Sequence, residues 1–296
     1  MEKNREIEAL LQLIDDPDME VFTTVEDRLL SYGAPVIPNL ENLWENTISE
    51  EVQERIEMII HRIHFRDLKT ELINWSNGEC ELLYGALLVA KYQYPDLQTV
   101  SALQEIERIR RNIWLEMNSY MTSLEQVKIV ESILYNYYKI KGGEIAYDQP
   151  NEFMLHKVIE SKKGNAITSG ILYLLMAELL DLPVRAINLP RQFVLAWFSH
   201  QVLFDNDFTQ INPSENIKFY IDPNSGTAFS QKDIELYLKR ISLPANTGYF
   251  KPMLNRRIIQ LLLEQFANCF DDSSHLYKKN ELLQLAALLG GTDNQL

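Results

Sequence analysis

Lys163-Gly164-Asn165-Ala166-Ile167-Thr168-Ser169-Gly170 opens the stretch whose reading decides the fold. From Asn165 to Leu180 the only charge is Glu178. A helix that is apolar on all sides belongs inside a protein. Asn165 is a good N-cap residue, so the helix is expected to start there. Three strand-like runs follow: Val184–Leu189, Gln192–Phe198 and Lys218–Ile221. Asp205-Asn206-Asp207 supplies turn chemistry between the last two. One buried helix feeding a small antiparallel sheet predicts an α+β arrangement, here in a mostly helical chain.

Helices are expected on both sides of this centre. Downstream, Ser230 with Asp233 starts a helix carrying Ile234, Tyr237, Leu238 and Ile241. Two more follow, one with Ile258, Leu262, Phe266 and Cys269 and one around Leu282–Leu289. Upstream, Leu103, Ile106, Ile109, Ile113 and Met117 mark a long helix, and Ser123 with Gln126 caps another. Gly142-Gly143 and Gly290-Gly291 read as helix stops. Near the N-terminus Ile7, Leu10, Leu11 and Ile14 share one face; Asp16 can cap the next helix, with Pro17 in its first turn. Thr47 with Glu50 can cap a fourth helix carrying Val52, Ile56, Ile59, Ile60 and Ile63.

Asp18, Val21, Leu29, Gly33, Ile37, Pro38 and Leu40 resemble HEAT-type helical repeats, although a plain helical bundle accounts for the same residues. The expected division is a helical, HEAT-like domain over 1–110 and a second domain over 111–296. Its handover falls between about 95 and 120. No Pro/Gly/Ser-rich linker marks that point.

The stretch Leu155–Gly226 resembles the transglutaminase-like domain of the bacterial SirB1 family. The resemblance is carried by Lys163-Gly164-Asn165-Ala166-Ile167, Leu172-Tyr173, Ala177, Leu182-Pro183-Val184-Arg185, Leu189-Pro190-Arg191-Gln192-Phe193-Val194-Leu195 and Tyr220-Ile221-Asp222-Pro223. It implies a papain-like core, in which a cysteine opens the buried helix and a histidine and an aspartate sit on neighbouring strands. Ala166 stands in the cysteine position, with a spacing to Pro183 of 183 − 166 = 17. Gln192 stands in the histidine position and Asp222 in the aspartate position. Two of the three triad roles are therefore empty, because alanine has no nucleophile and glutamine is no base near neutral pH. The amide of Gln192 is expected to donate to the Asp222 carboxylate, preserving the old hydrogen bond without its chemistry.

Other chemistry has weaker candidates. The hydroxyls of Thr168 and Ser169, one turn into the helix, offer a different nucleophile if a base faces them. Asn165 is a secondary ligand-binding candidate. His61 and His64 lie three apart with no cysteine nearby, which is poor metal chemistry, while His156 and His200 are isolated. No metal site and no cofactor motif are expected. Cys80 and Cys269, each set in an apolar helical stretch, read as reduced core thiols.

A net charge of -14 argues against nucleic acid and against an anionic membrane surface. Met1-Glu2-Lys3-Asn4-Arg5 leads into an amphipathic pattern, so the expected address is the cytoplasm. Together these observations point to a catalytically inactive interaction or scaffold module with a protein partner. The competing readings are a Ser/Thr hydrolase or acyltransferase in the same cleft, and a small-molecule binder there.

Overall fold

The computed structural model describes residues 2–199, 216–244 and 246–290. These residues divide into two compact units, Met1–Asn74 and Trp75–Leu296.

The first unit is helical: α1 (Glu2–Leu11), α2 (Met19–Tyr32), α3 (Ile37–Asn46) and most of α4 (Glu50–Asn77). Ile14, Val25, Leu29, Leu40, Ile56, Ile59 and Ile63 form its core. Asp18, rather than Asp16, caps α2 by accepting the Glu20 amide at 2.9 Å. Asp16 instead accepts the amide of Asp18, holding the turn that presents the cap. Arg55 reaches back to the Ile14 and Asp16 carbonyls and satisfies groups left open after α1. Helix α4 runs well past Ile63 because Leu68 and Leu72 continue its buried face.

The second unit begins earlier than the 110/111 boundary read from sequence. Its helices α5 (Leu82–Gln93) and α6 (Val100–Glu116) pack on the elements around the buried helix. Then come α7 (Ser123–Glu131), a π-helical turn over Ser132–Tyr137, α8 (Leu155–Ser161) and the buried helix α9 (Ala166–Leu179). Thr122 and Glu125 form the capping box of α7, one residue before the expected pair. Every residue of α9 from Ile167 to Ala177 is buried. Helices α5, α6 and α8 pack on it, as do the first two strands of the sheet.

That sheet is antiparallel, ordered β1 (Val184–Leu189), β2 (Gln192–Phe198), β3 (Ile217–Ile221) and β4 (Ala228–Phe229). Only β4, two residues long, has no counterpart in the sequence reading. Beyond Gln192 all of β2 is buried, so both of its faces are covered. Val194, Ala196 and Phe198 share a core with Ile187, Tyr220 and the helix α10 residues Ile234 and Leu238 (α10, Gln231–Arg240). The opposite face meets α9, where Gly170 lies against Phe193. Helices α11 (Asn255–Ala267) and α12 (Leu276–Leu289) complete the unit. The expected turn at Asp205-Asn206-Asp207 lies outside the described residues.

Two cysteine placements differ from expectation. Cys80 sits between α4 and α5 at a φ of 51°, not in a helix. Cys269 lies in a 3-10 turn after α11. Both are free and half-buried. Burial raises the thiol pKa of each, that of Cys269 to about 12.

The α9–sheet contact can be tested at Gly170. A Cβ there would come within 2.5 Å of the Phe193 ring. Gly170→Ala should therefore destabilise the protein by about 1–3 kcal/mol, as overpacked cores do. Urea unfolding measures this, and an unchanged midpoint would mean that the helix and sheet are not locked face to face.

Candidate functional site

The site is organised by the way α9 begins. Asn165 is fully buried and accepts the amides of Ile167 and Thr168 on Oδ1, at 3.0 and 3.1 Å. Its own amide donates to Thr168 Oγ1. Asn165 Nδ2 and Thr168 Oγ1 both donate to the Glu152 carbonyl, at 3.2 and 2.7 Å. The approach to the cap is also fixed, since Lys141 and Lys163 pair in a parallel bridge: the Lys141 amide donates to the Lys162 carbonyl at 2.8 Å and the Gly164 amide to the Lys141 carbonyl at 3.0 Å. This leaves Ala166 as the first residue of α9, half-exposed, on the wall of a cleft of about 820 Å³.

Gln192 and Asp222 line the same cleft. Gln192 is the first residue of β2, after the two-residue loop Pro190-Arg191 that joins it to Leu189. Asp222 follows β3, and continuing the Leu195–Ile221 register sets it level with Val194, on the sheet face that carries Gln192. The three triad-derived positions therefore meet in one place. Further wall is supplied by Phe193, Val194, Phe229 and Leu261, with Glu144, Tyr147, Asn224 and Gln265 as polar groups. Tyr147 donates to Gln265 at 2.7 Å.

The expected tie between Gln192 and Asp222 does not form. Asp222 Oδ1 accepts the amide of Asn224 at 3.0 Å, and Oδ2 accepts the Ser225 hydroxyl at 2.7 Å. The carboxylate turns back on its own loop, where four-residue geometry satisfies it at lower entropy cost than a reach across the cleft. Tyr135, on the π-helical turn, donates to the Pro223 carbonyl at 2.8 Å and packs against Gly226. Burial raises its phenol pKa well above the ordinary value. Gln192 itself is exposed.

The alternative nucleophiles lie elsewhere. The Thr168 hydroxyl is spent on the cap, and that of Ser169 is buried; neither residue lines the cleft. Asn165, with both ends of its amide engaged, holds structure rather than ligand. His156 stands on α8, edge-on to Tyr94, at a separate cleft. His200 lies outside the described residues. No cluster among the described residues has the donors to hold a metal ion.

The sequence reading missed the contribution of Gly142-Gly143. These glycines are no helix stop, because the preceding helical turn ends at Tyr137. A Cβ on Gly142 would lie 2.4 Å from the Asn224 backbone, so only glycine allows this segment to close against the Asp222 loop. A glycine pair without a helical pattern on its C-terminal side was the available signal.

A helix N-terminus, two strands and three triad-derived positions around one cleft define a transglutaminase-like centre. A family model of the transglutaminase-like superfamily matches residues 100–264. The chain belongs to that superfamily, and to its SirB1-type branch. It is 22% identical over 168 residues to Protein SirB1 of Salmonella typhimurium, covering 57% of each chain. The UPF0162 protein YchA of Escherichia coli is 20% identical over 196 residues, 65% of this chain and 68% of that one. A shorter likeness, 32% over 65 residues, links 22% of this chain to 10% of human F-box only protein 21. This chain thus spans little more than half the length of SirB1. No solved structure matches.

The geometry separates two side chains that the sequence had joined. Asp222→Ala should cost about 1–3 kcal/mol, since it strips partners from a half-buried loop. Gln192→Ala, exposed, should stay within about 0.5 kcal/mol of the parent. Equal urea midpoints for the two variants would contradict this account of the loop.

Proposed function

We propose that this chain is a non-catalytic member of its superfamily that uses the retained cleft for binding, as an interaction module of the cytoplasm. One observation carries the reading: among the described residues, the cleft wall has no cysteine, histidine, serine, threonine or lysine. The thiol nucleophile and the imidazole base of a cysteine-dependent triad are missing together, while the cavity, its apolar walls and a few polar groups remain. That combination suits a binding site. The Ser/Thr hydrolase alternative gains nothing from Thr168 and Ser169, which are buried away from the wall. The helical first unit, whose residues resemble HEAT-type repeats, suits a protein partner. No helix among the described residues is long and apolar enough to cross a membrane.

Neither free thiol is poised to replace the lost one. The Cys269 pKa of about 12 leaves almost no thiolate near pH 7. Purified protein should give no peptide hydrolysis or acyl transfer above the protein-free rate. Turnover abolished both by iodoacetamide and by Cys269→Ala would overturn the reading.

A further inference from the structure

Arg191 is the one cation among the described residues lining the Ala166 cleft. It has no ion-pair or hydrogen-bond partner among them. A second cleft of this unit is different. There Lys157 faces Glu160 at 2.9 Å, and Lys162 and Arg108 both face Glu105 at 3.5 Å. Each of these cations has a carboxylate within ion-pair distance, whereas Arg191 has none there among the described residues.

Arg191 also occupies a position that disfavours it. Leu189 pairs with Gln192, so Pro190 and Arg191 are the central residues of a two-residue turn. Proline fixes the first at a negative φ, and Arg191 adopts a φ of 63°. A turn of this shape calls for glycine or asparagine second, and a side chain with a Cβ pays for the left-handed conformation. The fold would accept glycine here, so the arginine is not explained by the turn.

We propose that Arg191 is a ligand-binding residue, whose guanidinium anchors the carboxylate of a small acid with an apolar body. The inference rests on the reading of this cleft as a binding site. A planar guanidinium pairs with a carboxylate through two parallel hydrogen bonds. The helix N-terminus is on the same wall, where Ala166 heads α9, and its partial positive charge adds weakly to the attraction although Asn165 Oδ1 already takes the Ile167 and Thr168 amides. Of the two acids on the wall, Asp222 is held by Ser225 and the Asn224 amide. Glu144 is the other, and the two carboxyl groups on the wall disfavour a second acidic group on the ligand. Phe193, Val194, Phe229 and Leu261 offer the apolar body a wall. Such an acid is either a free small molecule or the C-terminal residue of a peptide chain.

The test is an NMR titration of the full ¹⁵N-labelled chain with N-acetyl-leucine and, separately, N-acetyl-leucinamide. The acid should shift the Ala166, Arg191 and Val194 amides saturably and bind at least about tenfold more tightly than the amide, the loss of one charge-assisted pair. Arg191→Gly should unfold at a urea concentration no lower than the parent and should bind acid and amide alike. An acetylated tetrapeptide ending in leucine separates the two sources: tighter binding than N-acetyl-leucine assigns a chain terminus, equal binding a free acid. Equal affinity of the parent for acid and amide, or unchanged acid affinity in Arg191→Gly, overturns the proposal. Binding of both compounds alike removes Arg191's role yet leaves the cleft a binding site. If neither compound shifts the cleft, the Arg191 proposal falls, and the turnover assay decides the non-catalytic reading separately.

Discussion

The Glu152 carbonyl, shared by Asn165 Nδ2 and Thr168 Oγ1, fixes where α9 begins. A buried polar side chain without partners is costly, and Asn165 is fully buried, so the cap has little freedom to slip. Once the first residue of α9 is fixed, the packing of the helix follows. Gly170 must meet Phe193, and Gly164 must pass beneath Val158. The sheet is then held with the head of β2 and the end of β3 beside the helix N-terminus. The triad-derived geometry depends on a cap and not on the triad.

This explains how the architecture can stand with alanine and glutamine in the positions that the resemblance assigns to cysteine and histidine. In an active triad the carboxylate orients an imidazole. Here Asp222 orients its own loop through Asn224 and Ser225, and Tyr135 braces the next carbonyl. The residue keeps a structural reason to be an aspartate. Gln192, with no such engagement, stands exposed at the cleft. Alanine at 166 costs the fold nothing, because it is a good helix former at the first helical position.

Much of the centre was legible in the sequence. The uncharged run after Asn165 announced a buried helix, and β1 and β2 appear over the expected residues because each is a short, largely apolar run beside turn residues. The shared cleft of Ala166, Gln192 and Asp222 followed from motif order. What escaped reading depended on tertiary context. Nothing local in Asp222-Pro223-Asn224-Ser225 tells whether the carboxylate crosses the cleft or closes its own turn. The packing of Gly142 on Asn224 joins residues far apart in the chain. Cys80 looked helical because its neighbours are, but the chain turns at that residue with a positive φ. The unit boundary was placed late because α5 and α6 continue the helical texture of the first unit while packing with the second.

The central claim is that Ala166 heads a buried helix at an open cleft, in the position that the resemblance assigns to a cysteine. The most direct measurement is the iodoacetamide alkylation rate of Ala166→Cys as a function of pH, followed by intact mass against the parent. A thiol there should react well before Cys80 and Cys269, with a midpoint below the ordinary thiol value of about 8.5, as helix N-termini impose. An added thiol that reacts no faster than the two native ones, or titrates above that value, would place residue 166 in packed core and contradict the account.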